Sequence, residues 1–143
     1  MNWSGLSAFV PDWDLPAGVC ALQTECGVGT APYGGFNLGD HVGDDSAHVL
    51  RNRQRLRQAT GATPIWLSQV HGTQVHQLRQ PETAPVEADA ALTERRGLAC
   101  AVMTADCLPV LVADRQARVV GAAHAGWRGL AGGVIQALLA ALI

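Results

Sequence analysis

Two histidines and a cysteine stand in similar local settings. His71 follows the apolar run PIWLSQV and precedes Gly72, Cys107 follows LACAVMTAD and precedes Leu108-Pro109, and His124 follows RVVGAA and precedes Ala125-Gly126-Trp127-Arg128-Gly129. Each lies where a short apolar run, the pattern of a buried strand, gives way to a turn marked by Gly or Pro. Side chains at the carboxyl ends of neighbouring strands converge on a crevice. A thiolate and two imidazoles meeting there offer zinc three ligands and leave its fourth position to water, whose pKa falls to about 7. The same residues with Met103 as an axial donor would suit a blue copper ion, a less favoured reading. Without a metal, Cys107 as nucleophile and His124 as base describe a cysteine hydrolase. Asp106, beside Cys107, could orient a ligand or shuttle a proton, or be a turn residue bonded to backbone amides. Taken singly, a strand-end His is usually a satisfied polar group and a Cys is usually core filler. His41, His48 and His76 read that plainly, as loop, helix face and strand surface.

The elements that must position these residues follow from pattern. Segments 64–70, 73–78, 89–93, 98–104, 108–113 and 118–123 read as strands, rich in Val and Ile and closed by turn residues. Residues 113–117, ADRQA, read as the hairpin between the last two strands. A helix is expected from about Ser46 to Ala59, capped by Asp44, Asp45 or Ser46 and ended by Gly61. A Gly-rich segment, Gly27 to Asp45, precedes it and is too long for a simple turn. An interaction module using that segment is the reading from outside enzymology. A final helix is expected from Gly129 or Leu130 to Ile143. Its apolar residues cover most of its circumference, so it should be covered on all sides. Its end in mid-pattern, without a Gly cap or a polar tail, is the expectation of a truncated chain. The fold class expected is α/β (mixed α+β): a largely buried mixed sheet flanked by helices, one domain over 1–143, part of a larger one.

Composition narrows the function classes. With 48% hydrophobic and 15% charged residues, the 143-residue chain is not a charged disordered segment. Ten basic against twelve acidic residues give a net charge of -2, and Arg51, Arg53, Arg55 and Arg57 follow soon after Asp40, Asp44 and Asp45. Nucleic acid therefore has no electrostatic footprint to bind. No apolar run approaches the roughly 20 residues that span a bilayer, and the N-terminus lacks the pattern of a signal peptide. The four cysteines, Cys20, Cys26, Cys100 and Cys107, form no CxxC pair. Reduced thiols in the cytoplasm are expected, with Cys20, Cys26 and Cys100 as small buried hydrophobes.

In order along the chain, NLGDHVGDD, QVHGTQV, ADAALT, TADCLPVLVAD and AAHAGWRGLAGG resemble the family once called multicopper polyphenol oxidases, or laccase-domain proteins. The resemblance spans Asn37 to Gly133. It implies a purine nucleoside phosphorylase that acts on adenosine, inosine and methylthioadenosine and also deaminates adenosine. It implies zinc held by the His of QVHG, the Cys of TADC and the His of HAGWRG, which are His71, Cys107 and His124. It further implies a chain that continues well beyond this length, acting on purine nucleosides and phosphate as a monomer or homodimer, with no nucleic acid or membrane partner. The older name fails on counting: a laccase needs about ten histidines for its coppers, and this chain has five. The H-x-E and P-C-x-x-C signature of other zinc deaminases is absent, so attack at C6 of adenine would be a convergent chemistry.

Phosphorolysis also needs an anion site. On the expected helix, Val49, Arg53 and Leu56 share a stripe, so Arg53 points inward and needs an anion, which a phosphate could be. The plainer alternative is an ion pair with Asp40, Asp44 or Asp89. Arg128 is the second candidate, opening the last helix, against a solvent-facing arginine beside Trp127. Asn37 and His41, in NLGDHVGDD, complete the candidate substrate- and phosphate-binding set.

Overall fold

The computed structural model describes the chain except residues 1, 2, 4, 30 and 31. Two positions of the expected Gly-rich loop, Thr30 and Ala31, thus lie outside the described residues. The fold is mixed α/β, and it divides into two compact units, Met1–Trp13 with Cys20–Ala62 and Asp14–Val19 with Thr63–Ile143.

The first unit holds the antiparallel pair β1 (Ala8–Phe9) and β2 (Gln23–Thr24) and the helix α1 (Ser46–Thr60). The Asp45 carboxylate accepts the Ala47 N–H at the start of α1, and Gly61 closes its end. Both caps answer amides and carbonyls that a helix terminus leaves without partners. The buried face of α1 is Val49, Asn52 and Leu56. Asn52 therefore holds the central place expected for Arg53, which lies one position round the helix. An amide can be buried there because its Nδ2 reaches the Asn37 carbonyl at 3.0 Å.

The second unit contains β3 (Thr63–Ile65), β4 (Leu67–Ser68), β5 (Val75–Leu78), β6 (Val86–Glu87), β7 (Ala90–Thr93), β8 (Leu98–Cys100), β9 (Leu108–Ala113) and β10 (Val120–Ala125), followed by α2 (Trp127–Gly132) and α3 (Val134–Ala141). Four strands form one sheet in the order β5-β7-β10-β9, with β5 parallel to β7 and the other two pairings antiparallel. Alternation along β7 decides what each face carries. Ala90 and Leu92 join Ala123, Val134 and Leu138 in one core, on the side where α3 packs. Ala91 joins Ile65, Leu67 and Leu78 in a second core, with Leu98 and Cys100 packed against it.

Several boundaries differ from the sequence expectation. The 64–70 run breaks into β3 and β4, each paired with a different partner, β8 and β6. The 98–104 strand stops at Cys100, and its continuation bonds to a side chain: Gln69 Nε2 donates to the Met103 carbonyl and the Met103 N–H donates to Gln69 Oε1, at 2.8 and 2.7 Å. The single final helix is two, because Gly133 at φ 98 ends α2 and begins α3. A left-handed residue at that point is inexpensive only for glycine. Val134 and Leu138 are fully buried, whereas Leu130, Leu139 and Ile143 are exposed. The helical segment is thus covered on one face and not all round. Cys20 and Cys26 are exposed, against expectation, and Cys100 is partly buried. Burial pushes the Cys100 thiol up to about 12.

Candidate metal centre

The antiparallel register of β9 and β10 brings two of the three candidate ligands together. Ala125 pairs with Leu108 and His124 with Pro109. His124 therefore sits near the carboxyl end of β10, and Cys107 immediately precedes β9. The expectation of carboxyl strand ends fails for Cys107, while His71 follows β4 and His124 lies near the end of β10. Cys107 stands at an amino end, which antiparallel pairing places beside the carboxyl end of its neighbour. His71 stands in the turn between β4 and β5.

That turn has an unusual backbone. His71 lies at φ 62, in the left-handed region, where a residue with a Cβ costs about 1–2 kcal/mol. The offset comes from Asp89, a fully buried carboxylate between β6 and β7. Its oxygens accept the N–H groups of Val70, His71 and Gly72, each at 2.9 Å. Three successive amides aimed at one anion form a backbone nest. The same carboxylate lies 2.7 Å from His124 Nδ1, and the Asp89 carbonyl accepts the His124 N–H at 2.7 Å. Burial opposes ionisation of Asp89, but His124 and the three amides outweigh it and hold the carboxyl below its ordinary value. With Nδ1 donating to Asp89, His124 presents Nε2 as a lone-pair donor.

One ligand atom from each of His71, Cys107 and His124 lies within 4.8 Å of the others. Cys107 Sγ is 3.9 Å from His71 Nε2, and the two imidazole rings meet edge to face at 4.8 Å. The span is slightly wider than the 4 Å or so of a closed tetrahedral set. Desolvation pushes the Cys107 thiol above its ordinary value, and the Asp106 carboxylate, 3.8 Å from Sγ, adds to it. Room for the cluster depends on Gly126. A Cβ there would come within 2.7 Å of Cys107 Sγ and 3.3 Å of His71 Cδ2. The donor set, one soft thiolate and two imidazoles with one imidazole backed by a carboxylate, fits zinc and equally satisfies the ligand requirements of copper.

A pocket of about 400 Å³ opens over the cluster, and His71, Asp106, Cys107, Trp127 and Arg128 are among the residues lining it. Trp127 is 75% exposed, and the Arg128 guanidinium lies over its ring at 5.2 Å. The structure therefore brings together five of the eight candidates: His71, Cys107, His124, Asp106 and Arg128. The remaining three belong to the first unit. Arg53 is turned inward, its side chain 16% exposed, with Nε donating to the Leu38 carbonyl at 2.9 Å and its guanidinium 3.5 Å from Asp40. Burial pushes its pKa down and Asp40 raises it. Asn37 bonds to the Gly39 backbone and to Asp44. His41 is exposed beside Asp40. Asp89 and Gly126 are the supporting residues that sequence reading did not assign to the site.

Comparison with known proteins gives the family. Residues 19–143 match the family described as multi-copper polyphenol oxidoreductase laccase, and the chain belongs to that family. It is 48% identical over 131 residues to purine nucleoside phosphorylase YfiH of Escherichia coli, covering 89% of this chain and 54% of the relative. It is 51% identical over 123 residues to purine nucleoside phosphorylase ORF3 of Streptomyces griseus, covering 82% and 50%. Among solved structures, protein NMB0706 of Neisseria meningitidis superposes with a TM-score of 0.89 at 46% identity, covering 94% of this chain and 57% of that one. YlmD of Geobacillus stearothermophilus follows at 0.76 and 34%, covering 86% and 51%. The chain thus spans about half the length of the relatives it matches. No helix among the described residues is long and apolar enough to cross a membrane.

Proposed function

We propose that this chain carries the zinc-binding part of a purine nucleoside enzyme, one that cleaves adenosine, inosine and methylthioadenosine with phosphate and also deaminates adenosine. The observation that carries the reading is the convergence of His71, Cys107 and His124 within 4.8 Å. The names of relatives such as YfiH of Escherichia coli support the choice of substrate class. Zinc, when bound, supplies Lewis acidity and lowers the pKa of water at the site. In this reading His71, Cys107 and His124 would hold the metal, His124 with the nitrogen that Asp89 leaves available. Asp106, exposed at the pocket mouth, moves a proton between solvent and the reacting centre. Arg53 is the first candidate for holding phosphate and Arg128 the second, and Asn37 and His41 complete the set of candidates. We place the enzyme in the cytoplasm, as a monomer or homodimer, with neither nucleic acid nor membrane as a partner.

The test uses the full-length protein with adenosine and phosphate, following adenine and inosine separately. Zinc analysis of the same preparation accompanies it. About one zinc per chain, with adenine and a sugar phosphate formed, supports the reading. Stoichiometric copper would displace zinc. A metal-free protein would point to the cysteine hydrolase or to an interaction module. Arg53→Ala, shown to be folded and zinc-loaded, should lower phosphorolysis roughly thirtyfold, about 2 kcal/mol, while deamination holds. Equal loss of both activities removes Arg53 from the phosphate site, and loss of neither leaves Arg128.

A further inference from the structure

We infer that Asp89 is the positioning residue of the metal centre, and that its one carboxylate sets two of the three ligands at once. This rests on the metal-binding reading above. Toward His124, the carboxylate fixes the ring: Nδ1 lies 2.7 Å from Oδ2, so the proton resides on Nδ1 and Nε2 faces His71 and Cys107. A metal-bound histidine gains basicity and orientation from such a partner. Toward His71, the carboxylate acts through the backbone. It draws together the N–H groups of Val70, His71 and Gly72, and these contacts hold His71 at φ 62. His71 is exposed, so packing does little to hold its ring. The position of its imidazole is set instead by the turn, and the turn by Asp89.

This double duty separates Asp89 from an ordinary buried ion-pair partner. A carboxylate serving His124 alone would need one acceptor oxygen, yet both oxygens are used. Oδ1 takes the amides of Val70 and Gly72, and Oδ2 takes the His71 amide together with the His124 ring. The carboxylate is fully buried, so water does not compete for these bonds. Asparagine in its place keeps the shape but turns one acceptor into an NH₂ donor. That donor must then face N–H groups, whichever way the amide is flipped.

The test compares the wild-type chain with Asp89→Asn for zinc affinity, by competition with a chromophoric chelator, and for apo-protein melting. Asp89→Asn should bind zinc 10- to 100-fold more weakly while the metal-free protein still melts cooperatively. Unchanged zinc affinity in a folded variant overturns the inference. A variant that does not fold shifts the decision to nitrogen-15 NMR of the zinc-loaded wild type. There His124 should coordinate through Nε2 and carry a slowly exchanging Nδ1–H, and the His71 and Gly72 amides should be protected despite their exposed turn. Coordination through Nδ1, or free exchange at these groups, overturns it equally. Wild-type protein that takes up no zinc overturns the metal reading itself, and this inference with it.

Discussion

The candidate metal centre of the second unit and the polar network of the first use the same residue types to opposite ends. In the network, Asn37 donates to Asp44 at 3.1 Å, His48 Nδ1 meets Asp44 at 3.0 Å, and His48 Nε2 meets the buried Asn52 at 3.3 Å. Both nitrogens of the imidazole are taken by protein groups. In the candidate metal centre Nδ1 of His124 is taken by Asp89, which leaves Nε2 as its ligand atom in the cluster with His71 and Cys107. An imidazole with both nitrogens engaged fastens a loop, whereas one held on a single side is presented to something else. Histidine near carboxylate is thus uninformative until the far nitrogen is traced.

The contrast breaks most visibly through the ligands. Cys107→Ala should lower zinc affinity by more than about 100-fold, beyond the range for supporting groups, and should abolish the proposed deamination in the full-length protein. Retained stoichiometric zinc would remove Cys107 from the set. Gly126→Ala is next: its new Cβ must displace Cys107 Sγ or the His71 ring, with about tenfold weaker zinc binding expected in chelator competition. A variant that binds zinc as wild type does would show that the cluster yields easily. On the other side of the comparison, His48→Ala should cost about 1 kcal/mol of stability by thermal melting and leave zinc content unchanged. A drop in zinc content would mean that the network serves the metal after all.

Acid pH probes both carboxylates together. Asp44 is held below its ordinary value by Asn37 first, with His48 and the Asp45 amide also favouring ionisation. In Asp89 the His124 and amide bonds overcome burial. A depressed folded pKa contributes stability that is complete above the unfolded value, near 4, and lost as pH falls through the folded value. Melting temperature should therefore be insensitive to these two groups above about pH 5 and decline below it. Asp44→Asn should flatten that decline, and an acid limb unchanged by it would refute the assignment. The smallest effect belongs to Arg118→Ala. Its pair with Asp114 is exposed on the arginine side, and melting should hardly change.

Much of this was legible in residues and spacing. The pattern located α1 and its caps, the full extent of β9, and the three residues that converge as candidate ligands, because local periodicity, turn residues and the TADC and HAGWRG segments all lie within short windows. Asp89 was not legible as a supporting residue. It opens the ADAALT strand, and its partners lie 17–19 residues before it and 35 after it. Nothing local distinguishes it from a strand-end aspartate. The φ of His71 was hidden for the same reason, since it is imposed by that distant carboxylate. Asn52 displaced Arg53 from the buried stripe because side-chain periodicity registers apolarity and misses a buried amide. The break at Gly133 was available in the Gly132-Gly133 pair, but the flanking apolar residues suggested one continuous helix.

The burial order of the three ligands has a kinetic meaning. His71 is exposed, Cys107 is partly buried and His124 is buried, so a metal arriving from solvent meets His71 first and His124 last. Departure would run in reverse, with the His124 imidazole letting go first and His71 last, and a competing chelator would capture the metal while only the exposed His71 still held it. Release is then a sequence of exchanges assisted by the incoming ligand. The observed rate should rise with chelator concentration, where a metal enclosed on all sides would leave at a rate set by opening of the fold. His71 would be the last protein ligand to let go, so the lifetime of the loaded site would be governed at its most exposed residue.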